Sequence, residues 1–178
     1  MSKDPALRTP ARLLALALGV CVLSPAIAQE TGSRQTRDFV QSLAQSDTFE
    51  ILAAQSALAQ SSDRDVRGFA QMMITDHTAM DRLLSDSAAK AGLAPPVKAI
   101  GADQALLLNG LGGLTGPEFD KTYLQQQALA HRSALAEAQT YAASGDNAVM
   151  RSVAKTAAQA ISAHVAMVEP VLGKAAAR

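Results

Sequence analysis

Cysteine is nearly missing from this chain of 178 residues, and the single one, Cys21, lies in an N-terminal stretch that reads as a removable export signal. Without Cys21 there is no thiol for a disulfide framework, a cysteine-based metal site or a cysteine nucleophile, which suits an oxidising compartment outside the cytoplasm. Tryptophan is absent and aromatic residues make up only 3%, so the composition favours close-packed helices over a sheet. No charge of either sign is in excess, with 16 Lys and Arg against 16 Asp and Glu. There is no clustered basic stripe and no aromatic stacking platform, which excludes nucleic acid as a partner. Gly-x-Ser-x-Gly, His-Glu-x-x-His and a recognisable pair of poised carboxylates are all missing. A glycine-rich stretch, Gly110 to Gly116, follows no strand and has the wrong spacing for a dinucleotide fingerprint.

The export signal is read over residues 1–28. Lys3, Arg8 and Arg12 form its basic start, Leu13 to Leu23 its apolar stretch, and Ala26-Ile27-Ala28 its cleavage motif, so that the mature chain begins at Gln29. That apolar run is about eleven residues, well short of the roughly 20 a spanning helix needs, so no integral membrane span is expected in the mature chain. Gly19-Val20 before Cys21 does not suit lipid attachment. Processing removes those three basic residues and Asp4, leaving 13 basic against 15 acidic groups and a net charge of −2. A periplasmic location follows, with association to the outer membrane left open.

What remains has the size of one domain. Residues 29–35 read as a flexible start and 36–173 as a bundle of four long helices. The first spans Thr36 to Ser61, with Val40, Leu43, Ala44, Ile51, Ala54 and Leu58 on its buried side. The second, 63–91, carries the cleanest period: Val66, Ala70, Met73, His77, Met80, Leu84, Ser87 and Ala91. Asp63 or Ser62 caps its start, and Gly92 with Pro95-Pro96 ends it. The third runs from Pro117 to Ser144 with Leu124, Ala128, His131, Leu135 and Ala138 inward, and exits at Gly145. The fourth follows Asp146 or Asn147 and repeats Met150, Val153, Ala157, Ala160, His164, Met167 and Val171, with Pro170 expected to bend or end it near Glu169. Leu93 to Gly116, containing a short helix near 103–111, is too long for a hairpin and reads as a crossover along the bundle.

The three histidines are the best candidate for a site. Each sits at a core position of a different helix. His77 and His131 both lie 14 residues into theirs, about 21 Å at the helical rise, and a crossover that makes the two helices parallel puts both rings at one level. Glu50 is also near mid-height, and His164 is offset by about 4 to 5 Å. Imidazole and carboxylate suit a mononuclear site for copper, zinc, nickel or iron, so Glu50, His77, His131 and His164 form the candidate ligand set. Met73, Met80 and Met167, one turn from a histidine each, favour copper, with zinc as the alternative. The same residues also permit a plain reading, with histidines hydrogen-bonded in a core, methionines filling gaps, and Asp47-Thr48-Phe49-Glu50 acting as a capping box.

The segments Asp47 to Glu50, Phe69 to His77, and Phe119-Asp120-Lys121-Thr122-Tyr123, together with His131 and His164, resemble a family of exported bacterial proteins, domain of unknown function family 4142. The resemblance implies an all-α, ferritin-like four-helix bundle with a long crossover between its second and third long helices, and an exported location. Members are sometimes labelled predicted outer-membrane proteins, and the family carries no settled activity. Ile74, Ala128 and Ile161 stand three residues before the histidines, where di-iron bundles place glutamate, which disfavours a ferroxidase centre. Asp76 is turned about 100° from His77, toward a solvated or interhelical role. Asp120 is expected to pair near its helix start, and Tyr123 to tie that end to the crossover.

Three functions stay open on the sequence: a non-catalytic exported binding or stress protein whose histidines stabilise the core or hold a metal, which is preferred, a periplasmic redox metalloenzyme, and an envelope module that docks a protein partner over a purely structural histidine core.

Overall fold

The computed structural model describes residues 32–177, so the export signal and its cleavage motif lie outside the described residues. Five helices follow one another: α1 (Arg34–Gln60), α2 (Arg64–Lys90), α3 (Ala102–Gly112), α4 (Gly116–Ser144) and α5 (Ala148–Ala176). Among the described residues there is no strand. The rods of the bundle are α1, α2, α4 and α5, and α3 is the short helix of the crossover. No helix among the described residues is long and apolar enough to cross a membrane.

Local chemistry sets the boundaries. Ser33 Oγ accepts the Thr36 N–H at 3.0 Å to start α1, two residues before the position that periodicity gives. Asp63 accepts the N–H groups of Asp65 and Val66 at 2.8 and 3.0 Å, and Asn147 those of Val149 and Met150 at 3.0 and 3.1 Å. Each satisfies N–H groups that a helix start leaves open. Gly92, at φ +68°, takes the left-handed cap of α2 while the Leu93 N–H bonds back to Ala88 O at 2.9 Å. Gly145 ends α4 for a different reason: its φ is −60°, but a Cβ there would lie 2.4 Å from the Tyr141 ring.

Cross-helix pairs fix the topology. Asp47 meets His77 while Arg67 reaches Leu58 O, and Ser42 meets Glu137 while Glu50 meets His131, so α1 runs antiparallel to α2 and to α4. Lys174 meets Asp65 while His164 meets Asp76, which makes α5 antiparallel to α2. Consequently α2 and α4 are parallel across the bundle, as a crossover requires. Gln41 holds that crossover by two hydrogen bonds of 2.9 Å to the Val97 backbone, and Gln126 donates to Leu107 O at 3.2 Å. Tyr123 makes no hydrogen bond to the crossover: its hydroxyl has no partner, and its ring packs beside Phe119 and Phe69 in the apolar cluster that also takes in Leu111 of α3.

Two further expectations are corrected. Pro170 does not end the last helix, which continues to Ala176. The backbone bond lost at Ala166 O is offset because the following turns bring Val171, Leu172 and Ala175 onto the core and Lys174 to Asp65 at 2.7 Å. Nor do Asp47 to Glu50 begin a helix. They lie in the middle of α1, with Asp47, Phe49 and Glu50 buried and Ile51 and Leu58 only partly so.

The core is divided. One apolar cluster, including Phe39, Leu43, Leu84, Tyr141 and Ile161, fills the end nearest the α1 start, and a second, including Phe49, Phe69, Leu111, Phe119 and Val168, fills the other. Between them lies a buried layer of Asp47, Glu50, His77, Gln127, His131 and His164. Burying such polar groups costs stability wherever one lacks a hydrogen-bond partner.

Candidate metal centre

The three imidazoles meet at that waist. Their ring centroids are 5.5 Å apart for His77 and His131, 5.3 Å for His77 and His164, and 5.2 Å for His131 and His164. One ring nitrogen from each lies within 4.8 Å of the other two. The sequence offset of His164 does not keep its ring out of the cluster. All three rings are at most 4% exposed.

Hydrogen bonds decide which nitrogens face inward. His131 Nδ1 lies 2.8 Å from the carbonyl oxygen of Gln127, which can only accept, so Nδ1 carries the proton and Nε2 of the neutral ring carries a lone pair. His77 Nδ1 lies 2.8 Å from Asp47 Oδ1, and its Nε2 is 3.4 Å from His131 Nε2. His164 Nε2–H donates to Asp76 Oδ2 at 3.0 Å, leaving a buried Nδ1 without a partner. Two ligands of a tetrahedral ion with bonds of about 2.0 to 2.1 Å stand roughly 3.3 Å apart, close to the separation of the two Nε2 atoms. A partner on the outer nitrogen of every ring is the arrangement that orients imidazoles toward an ion.

Burial sets the electrostatics. It pushes the His77 pKa down to about 4 and that of His131 to about 3, the latter helped by its histidine neighbours, and it lowers that of His164 as well. These rings are neutral at pH 7 and available as ligands. Burial also raises the Asp47 carboxyl well above its usual range, with Asp81 adding to the rise, and raises Glu50 to about 8 despite the opposing Gln127 amide. Asp47 Oδ2 and Glu50 Oε2 have no hydrogen-bond partner.

Each residue of the candidate ligand set is thus located. The histidines converge, whereas Glu50 stands behind His131, with Oε1 3.5 Å from its Nδ1, on the side away from the facing nitrogens. Met73 and Met80 are buried in the apolar clusters on opposite sides of the waist, and Met167 is 38% exposed. Asp76 bridges α2 to α5 with a half-exposed side chain. Asp120 is buried, with an Oδ1 that has no hydrogen-bond partner. Periodicity overlooked Asp47, although Leu43, Asp47, Glu50 and Ala54 recur in steps of four, three and four and share one helix face.

Solved structures share the fold. A DUF305 fragment from Deinococcus radiodurans matches with a TM-score of 0.70 at 20% identity, over 80% of this chain and 97% of that one. A DUF305 protein from Streptomyces coelicolor, provisionally described as secreted, matches with a TM-score of 0.67 at 14% identity, over 81% of this chain and 96% of its own. At such identities the likeness concerns the fold alone. No curated protein matches the chain. The family model for Domain of unknown function (DUF4142) matches residues 22–171, and the chain with its histidine waist belongs to that family.

Proposed function

We propose that the protein is an exported binding bundle that holds one transition metal ion, copper or zinc, on His77, His131 and His164. The observation that carries this reading is the 3.4 Å separation of two inward ring nitrogens, one of which bears no proton, beside the unpartnered Nδ1 of His164. Three neutral nitrogens with a fourth position open suit either ion, and no carboxylate enters the inner set. The signal-like residues 1–28 and the fold shared with a protein provisionally described as secreted support export.

Asp47 controls the availability of the site. When Asp47 is protonated it donates to His77 Nδ1, and His77 Nε2–H donates to His131 Nε2, so the His131 lone pair is occupied while His164 Nδ1 stays unpartnered. When Asp47 ionises, its proton passes to His77 Nδ1 and the Nε2 proton leaves, which bares the third nitrogen. One proton is released for each ion bound, and the buried Asp47 charge is balanced by the cation.

Elemental analysis of protein recovered from the periplasm, followed by calorimetric titration of metal-free protein with Cu(II) and Zn(II), tests the reading. One ion per chain is expected, lost in His77→Ala and His164→Ala. Folded metal-free protein that takes up neither ion would leave the cluster as a hydrogen-bonded core.

A further inference from the structure

We propose that Met72 and Met167 form an outer site that receives a soft monovalent cation, Cu(I) or its analogue Ag(I), and passes it to the histidine centre; this rests on reading that centre as metal-binding. The register of α2 against α5 puts the two methionines at one level of the seam. Lys174 Nζ is 2.7 Å from Asp65 Oδ2, and His164 Nε2 is 3.0 Å from Asp76 Oδ2. Met72 lies seven residues beyond Asp65 on α2, and Met167 lies seven before Lys174 on the antiparallel α5. Both line one groove of about 400 Å³ along the seam, together with Phe69, Val171 and the charged Arg64, Asp65 and Lys174, of which Lys174 is paired with Asp65.

On α2 and α5 the two methionines are the lining residues nearest in sequence to the centre. Asp76 follows Met72 by four residues and His164 precedes Met167 by three, so the Asp76–His164 pair lies about one turn, 5 to 6 Å, past the thioethers on both helices. Asp76 is half exposed, and it holds the outer nitrogen of the same ring whose inner Nδ1 is buried without a partner. A cation leaving the sulfurs therefore meets a carboxylate and an imidazole that belongs to the inner site. Met167 is 38% exposed although its side chain is apolar, as a receiving group must be.

Thioether chemistry suits a relay. Sulfur of methionine is soft and neutral, has no proton to lose, and selects Cu(I) or Ag(I) over Zn(II). Two thioethers without a third ligand hold such an ion weakly enough to release it to three imidazoles. Transfer changes no oxidation state, so no oxidant or reductant is needed.

The test uses full-length mature protein with its methionine methyl groups isotopically labelled, assigned through Met72→Leu and Met167→Leu, which nearly conserve volume. Ag(I) is expected to shift the Met72 and Met167 methyl signals in wild type, and also when the histidine centre has first been filled with Zn(II) or removed as His77→Ala/His164→Ala. In the double leucine variant, filling of the histidine centre by Ag(I) should slow about tenfold, equivalent to about 1.4 kcal/mol of barrier, with its equilibrium affinity and the rate of Zn(II) uptake unchanged. Methyl signals that stay fixed in all three proteins, or an unaltered filling rate in the leucine variant, would overturn the relay and leave the methionines as seam packing. Methyl shifts in a protein whose histidines take no metal would sink the centre while sparing the outer site.

Discussion

Between Asp47 Oδ1 and His77 Nδ1 runs a hydrogen bond of 2.8 Å whose proton can sit on either side, and its position determines whether His77 Nε2 is a donor or a ligand. Asp47→Asn keeps the shape but cannot supply a negative charge to orient and strengthen the ring. Metal affinity should fall about 10- to 100-fold, as for other outer partners of ligating histidines. Titrations in buffers of different ionisation enthalpy should show one proton released by wild type and none by the variant. The buried groups also predict how metal-free protein responds to pH. His77 and His131 have folded pKa values of about 4 and 3, below the ordinary 6.5, so the unfolded chain binds more protons there and stability falls as pH drops below about 6.5. Glu50, raised to about 8 from 4.5, has the opposite sign: between those values the folded chain keeps a proton that the unfolded chain has lost, so stability falls as pH rises from about 4.5 to about 8, and the raised Asp47 acts in the same sense. Urea denaturation at a series of pH values should therefore give a stability maximum between about pH 5 and 7, with a decline on either side. A curve that levels off above about pH 6.5 instead of declining would show that the two acids are ionised in the folded state.

At the level of the element, α5 shows packing overriding propensity. Pro170 is exposed and removes the N–H that would have bonded to Ala166 O, while the residues beyond it are held by burial and by Lys174. Pro170→Ala should restore that bond without disturbing a contact and stabilise the protein by about 1 to 3 kcal/mol, read as an upward shift in Tm. Sequence periodicity could not foresee the continuation, because the local cost of proline is visible in the sequence and the core it is drawn against is not. The same limit explains Asp47 and Glu50. Asp-Thr-Phe-Glu matches a helix-start pattern, but α1 passes through it, and only the opposing His77 and His131 give those carboxyls their place. Conversely, the helices, the crossover and the shared level of the histidines were legible, since each depends on helical rise and a long connection between helices rather than on a particular contact. Tyr123 shares an apolar cluster with Leu111 of the crossover and uses the faces of its ring there, leaving its hydroxyl unpartnered.

Across the whole molecule, the polar waist is a cost to stability. Asp47, Glu50, Gln127 and His164 all bear buried atoms with no hydrogen-bond partner, and each such atom is destabilising by about 1 to 3 kcal/mol relative to a satisfied one. Two apolar clusters flank this layer and have to outweigh it. If the layer exists to hold an ion, replacing it with apolar residues of similar volume should separate stability from binding. In a variant with Asp47→Leu, Glu50→Leu, His77→Leu and His131→Leu, the two clusters become one continuous core. By analogy with buried ionic groups exchanged for hydrophobic ones, its stability should exceed that of metal-free wild type by about 1 to 4 kcal/mol while metal binding disappears. Saturating wild type with its ion should recover part of that difference, because a ligand that binds only the folded chain stabilises it in proportion to the logarithm of its concentration over Kd. Denaturant midpoints for the variant, metal-free wild type and metal-loaded wild type make the comparison. A variant less stable than metal-free wild type would mean that the histidines and carboxyls hold the waist together by their own hydrogen bonds, and the argument for an ion from the cost of this layer would fail.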